Sequence, residues 1–287
     1  MDDPFYEAIR QVRDAVHGLL DPVDSVNVDS AILPDADSPA MREISQQSEF
    51  EGDWGNEPVE HTHVLGVWKR TLATDCAHAM IRDLHEDPAP VFAYKVLSRA
   101  VIENAASAAW LLEPGIGIRL RIARGRNERL HSARQMLRLE WLPEEEKERS
   151  QQIVDTITRV GAQLGFSMTR RRWLEEDRPG FTALVRWVLG DDLGTTVASY
   201  LSAVAHGTQY GLASAVLSVE SSVGLGKRRA AIGLSSNDVN LALATAGLSL
   251  IKASNHEHQL MGRESQNWTE RRSAALEAFR AAVISDA

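Results

Sequence analysis

The strongest local chemistry in this chain is RLRIARGRNERLHSARQMLR, Arg119 to Arg138. It holds seven arginines, relieved nearby only by Glu128 and Glu140. Fixed positive charge at that density suits phosphate groups, and the bland alternative is a solvated arginine-rich helix face. Inside the strip stand Arg126, Asn127 and His131 in the pattern R-N-x-x-x-H. A guanidinium can stabilise a charged phosphate, and an imidazole with a pKa near ~6.5 can carry a proton at neutral pH. Arg126 and His131 lie about 140° apart on an ideal helix. They reach one ligand only if the helix is distorted, for which Gly125 is well placed, or if a homodimer brings two copies together.

Two further stretches combine polar groups with small residues. In RAVIENAASAAWLLEP, Lys95, Arg99 and Glu103 follow at i, i+4 spacing among alanines, as a structural clasp or as the wall of a site. In YLSAVAHGTQYG, Tyr200, Ser202 and His206 precede Gly207. His206 either caps the last carbonyls of its helix or serves as an acid/base in a pocket. Both segments are lean enough to pack closely. Arg99 and Glu103 are therefore expected to meet Ser202 and His206 inside the bundle, with Glu103→Ala costing about 3–5 kcal/mol by stranding a buried arginine. Metal-type groupings (His61 with His63, Asp75 with His78 and His85, His256 with His258) lack the spacing of di-iron or zincin motifs, so no metal site is expected. No Walker loop, G-x-G-x-x-G or G-x-S-x-G is present, and no cofactor is expected.

The elements that must position these residues are nearly all helical. Helices are predicted over Pro4–Leu20, Val64 to the Asp87-Pro88 stop, Pro90–Leu112, Ile118–Leu142 and Pro143–Gly165, then after a connector over Phe181–Leu189, Thr195–Ala205, Gln209–Val219, Ser236–Gly262 and Trp268–Val283. In the second of these, Leu65, Trp68, Leu72, Cys76, Ala79 and Leu84 mark the inward face. Asp21–Glu60 has no periodicity and reads as an irregular arm with a short strand at Ser25–Val28. Ser222–Ser235 reads as a small β-hairpin turning at Gly226-Lys227. The expectation is an all-α protein, a helical bundle over residues 61–287 with an N-terminal elaboration over 1–60.

A net charge of −9 excludes a protein that coats nucleic acid indiscriminately, but not a local basic groove. The single Cys76 excludes an internal disulfide and a multi-cysteine metal site. The acidic start lacks the features of a secretory signal, and the uncharged run Leu193–Val219 is too polar to span a membrane. It reads as two buried helices broken near Gly207. A cytoplasmic protein is expected.

With these residues in view, the chain resembles the HEPN-like helical bacterial proteins (higher eukaryotes and prokaryotes nucleotide-binding) over about Val64–Gly262. The likeness rests on Arg99-x-x-x-Glu103, on Tyr200-x-Ser202-x-x-x-His206-Gly207, and on Arg126-Asn127-x-x-x-His131. The resemblance implies a dimer cleft that cuts RNA without metal, in a toxin or phage-defence setting. Arg126 would bind phosphate, His131 would move protons and Asn127 would orient them. It equally implies a non-catalytic alternative, a module that binds a nucleotide or a protein partner. In this chain several helices follow the R-N-x-x-x-H motif, whereas in the family it usually lies late in the bundle.

Overall fold

The computed structural model describes residues 4–20, 33–85, 90–213, 216–221, 228–232 and 235–284. They form an all-α bundle, as the periodicity predicts. Its helices are α1 (Pro4–Leu19), α2 (Pro39–Ile44), α3 (Pro58–Asp83), α4 (Ala93–Leu111), α5 (Ile118–Met136), α6 (Glu144–Gln163), α7 (Phe181–Leu189), α8 (Asp191–Ala205), α9 (Gln209–Ala213), α10 (Ser236–Met261) and α11 (Gln266–Ile284). No described helix is long and apolar enough to cross a membrane.

One antiparallel pair interrupts the helices, β1 (Val216–Ser221) with β2 (Arg228–Ile232). The expected hairpin is therefore present but begins earlier. The helix predicted to reach Val219 stops at Ala213, and the alternating Val-Leu-Ser-Val that follows favours extended backbone. The break at Gly207, in a left-handed conformation, stands as predicted. The helix beyond it is short and its Leu212 is exposed, so the reading of two buried helices fails there. The Gly226-Lys227 turn and Ser25–Val28 lie outside the described residues.

Helix α4 lies between α3 and α10, and Ala105, Ala106, Ala108 and Ala109 are all buried. Small side chains let the flanking helices close on it, and with α1, α8 and α11 they enclose the main core. The inward face of α3 is not the one its large apolar residues suggested. Trp68 and Leu72 are 58% and 50% exposed, whereas Val59, His63, Val67, Arg70, Ala73 and Ala77 are buried. The reason is distance. A Cβ at Gly66 would collide with Leu112, and one at Gly125 of α5 would collide with the Thr62 side chain. Only small residues fit that approach, and bulky ones are turned outward. Gly125 thus serves close packing, and α5 runs unbroken through it.

Within the stretch expected to be an irregular arm, the described residues 33–60 join the bundle. Ser38 caps α2 by accepting from the Met41 amide, and Ala40 packs with Val67, Leu112, Leu260 and Met261. Trp54 and Val59 enter a second core with Ile122, Leu130, Ile157, Phe166 and Leu174. Helix α3 itself starts at Pro58 and passes through the boundary at residue 60.

Glu43 of α2 locks this segment in place. Arg121, fully buried, donates to it from Nε (3.0 Å) and Nη2 (3.1 Å), and His63 Nε2 lies 3.0 Å from the same carboxylate. Burial alone would raise the Glu43 pKa. The hydrogen bonds from His63 and Arg121 and their charges outweigh burial and hold it at about 2. Its folded pKa lies below the ordinary 4.5, so its contribution to stability is complete above pH 4.5 and is lost as pH falls toward about 2. Urea unfolding of Glu43→Gln is expected to show a loss of about 3–5 kcal/mol at pH 7 and a shallower acid-side decline than wild type. An unchanged midpoint at pH 7 would show that Arg121 finds another partner.

Candidate functional site

Helix α5 carries the chemistry, and it turns different residues to different sides. The connector between α6 and α7 folds back along it, stitched by a bridge between Met168 and Leu174. Asn127 is fully buried and holds this connector. Its Nδ2 donates to the carbonyls of Leu174 (2.9 Å) and Glu176 (3.2 Å), and its Oδ1 accepts from the Leu174 amide (2.9 Å). All its bonds are directed at backbone, so it is a strut and has no bond to either neighbour in the motif. Glu128 closes the same seam, pairing with Arg178 at 2.6 Å and Lys69 at 3.2 Å.

His131 opens on a cleft of about 940 Å³ formed by α5, α6 and the connector. Six arginines line it (Arg134, Arg138, Arg159, Arg171, Arg172 and Arg178) against one carboxylate, Asp155. Arg159 and Arg171 pair with Asp53 and Asp177. Among the described residues, Arg138 and Arg172 have no carboxylate partner, and Arg134 donates to the Arg172 carbonyl while stacking on Trp173 at 4.4 Å. The imidazole of His131 lies 6.4 Å from the same indole. Burial, then the Arg178 charge, lowers its pKa below the ordinary 6.5, so at pH 7 it is neutral and able to accept a proton. The connector's contribution was not legible beforehand. Its arginine run at 170–172 and Trp173 were visible, but which helix they would face was not.

Arg126 faces elsewhere. The residue is 3% exposed, its guanidinium stacks over Trp54 at 5.1 Å, and it lines a separate pocket of about 370 Å³ with Arg129 and His61. The two pockets share no lining residue. The angular separation seen in the sequence is therefore real, and within one chain Arg126 and His131 do not meet one ligand.

The interior polar cluster is half formed. Arg99 donates to Ser202 Oγ at 3.0 Å and stacks on Phe181 at 4.5 Å. Glu103, however, is 49% exposed and only 3.9 Å from Arg99 as a surface pair, and His206 is exposed at the end of α8. The correction has a geometric cause. Residues 95, 98 and 102 of α4 point inward, which swings Glu103 out. Lys95 is the buried cation instead, 3.4 Å from Asp238, which also accepts from the Tyr200 hydroxyl at 3.2 Å. Among the described residues no three His, Cys, Asp or Glu side chains gather as metal ligands.

Two substitutions separate strut from surface. Asn127→Ala leaves the Leu174 amide and the Glu176 carbonyl unsatisfied, while the Leu174 carbonyl keeps the Glu176 amide. It is expected to cost at least about 1–3 kcal/mol and to open residues 167–177 to limited proteolysis. Glu103→Ala removes an exposed pair and is expected to change stability by less than about 1 kcal/mol. Calorimetric melts of both would expose an error in either placement. Comparisons with protein-family models, curated proteins and solved structures found no match to this chain, so its functional reading rests on the residues themselves.

Proposed function

We propose that the chain is an HEPN-like, RNA-directed nuclease of the cytoplasm, of the toxin or phage-defence kind, that holds the phosphodiester backbone in the arginine cleft. The observation that carries this reading is the cleft itself: three arginines without carboxylate partners among the described residues, around one histidine and one indole. Arginine forks bind phosphate oxygens, and an indole face stacks an unpaired base. In the chemistry implied, the RNA 2′-hydroxyl attacks the adjacent phosphorus and gives up its proton. The bond to O5′ breaks as O2′ bonds phosphorus, and the leaving oxygen is protonated. No metal is needed for these transfers. On this reading His131 carries the proton. The stabilising role that the resemblance gives Arg126 falls to Arg134, Arg138 and Arg172 within one chain. Only a homodimer would return Arg126 to such a site.

A second reading is favoured by a specific observation. Asn127 is committed to the connector and Arg126 to another pocket, which leaves His131 without the motif's other members. On that reading the cleft binds RNA or a nucleotide and cuts nothing.

Binding of labelled single-stranded RNA across salt concentrations, followed by gel analysis of total RNA incubated in EDTA, tests both. Neutralising about three phosphates predicts a slope of log K against log salt near −2. Arg138→Ala and Arg172→Ala should each flatten that slope, and His131→Ala should leave binding intact. Cleavage by wild type that is lost in His131→Ala supports the nuclease. Salt-dependent binding without cleavage supports the module. Cleavage unaffected by His131→Ala, or no RNA binding at low salt, ends the nuclease proposal.

A further inference from the structure

Most buried arginines of this bundle are paired. Arg121 is held by Glu43, Arg124 by Glu113 and Glu176, and Arg70 by Glu257. Arg126 is the exception among the described residues. No carboxylate stands within 4.0 Å of it, and its buried Nε has no partner. Burial, then the charge of Arg129, holds its pKa down at about 10, still cationic at neutral pH. An enclosed guanidinium without an acceptor is unfavourable unless something else supplies one.

The groups around the guanidinium form a pocket. Trp54 supports one face of the guanidinium. Gly55, at φ +119°, lies over it, and a Cβ there would stand 3.8 Å from Nη2. That is ordinary contact distance, and it is the left-handed backbone that favours glycine at this turn. Exposed Arg129 and His61 line the same pocket, with Glu57 and Glu60. Glu57 holds a left-handed backbone at φ 102°, a strain that concentrates at ligand sites. At about 370 Å³ the pocket is at the small end of ligand cavities.

We propose that this pocket binds a small phosphomonoester of a polyol, its phosphate on Arg126 and Arg129 and its hydroxyls donating to Glu57 and Glu60. Two cations satisfy a dianionic phosphate, and the two carboxylates disfavour a ligand that is anionic throughout. The site is independent of the cleft at His131.

Thermal melts of the full chain with sodium chloride, inorganic phosphate or glycerol 3-phosphate at matched ionic strength test it. Without phosphate, Arg126→Gln should melt no lower than wild type, because it removes an unpaired buried charge. Glycerol 3-phosphate at a hundredfold excess over its Kd should raise the wild-type Tm by about 5 °C. That shift should vanish in Arg126→Gln, shrink in Arg129→Ala, and persist in Arg138→Ala, a cleft variant. Arg129 is exposed, so its variant reads the site even if Arg126→Gln folds poorly. Equal shifts in wild type and Arg129→Ala, or no shift beyond chloride, overturn the proposal. Inorganic phosphate as effective as the ester overturns the polyol assignment.

Discussion

Taking a guanidinium out of water is costly unless fixed acceptors replace the water it loses. Helix α5 buries Arg121, Arg124 and Arg126 within two turns, so its neighbours are chosen by that demand. Glu43 brings α2 to it, Glu113 brings the end of α4, and Glu176 brings the connector. The carbonyls of Trp110 and Leu111 complete the coordination. The second core of Trp54, Ile122 and Phe166 then fills in around a frame already set by charge.

The same frame separates two chemical surfaces. Pairing Arg124 and Glu128 with the connector lays Trp173 and the 170–172 arginines beside His131, which makes one wall of the cleft. On its other side α5 meets the turn at Gly55, where no carboxylate answers Arg126. A six-residue motif is thus divided by the helix into a histidine side, a strut and an arginine side. Its three polar members have different neighbours and, in one chain, different work.

Most of the fold was legible because period and punctuation are local. Phe181–Leu189 and the long helix from Ser236 follow directly from their apolar spacing and end signals. The errors share one origin. On α3 the large apolar residues marked the wrong face, since the interior there selects for thinness at Gly66 and for pairing at His63 and Arg70. On α4 the stripe was recognised, but Glu103, expected inside, is exposed, while Lys95 at the start of the stripe is the buried cation. Residues 38–60 looked irregular because Glu43 and Trp54 gain order from partners far away in sequence, and Gln47 from the first turn of α3. Of the candidate site, the arginine strip and His131 could be seen in advance. The connector that walls the cleft, and the isolation of Arg126, depend on tertiary pairing that no spacing encodes.

The arginines of α5 also bear on which changes the chain can absorb over generations. Arg121 serves a carboxylate and two carbonyls lying in different directions, and Arg124 serves two carboxylates and a carbonyl. A planar fork meets such divergent acceptors at once, and an ammonium on a four-carbon stem does not reproduce that geometry. Exchange to lysine at either position would keep the charge and lose the span, so codon drift between the two basic residues is closed at these sites. The chain holds 26 arginines and only 5 lysines. Whatever genomic bias contributes to that excess, part of it is fixed by the shape of the acceptors around one helix.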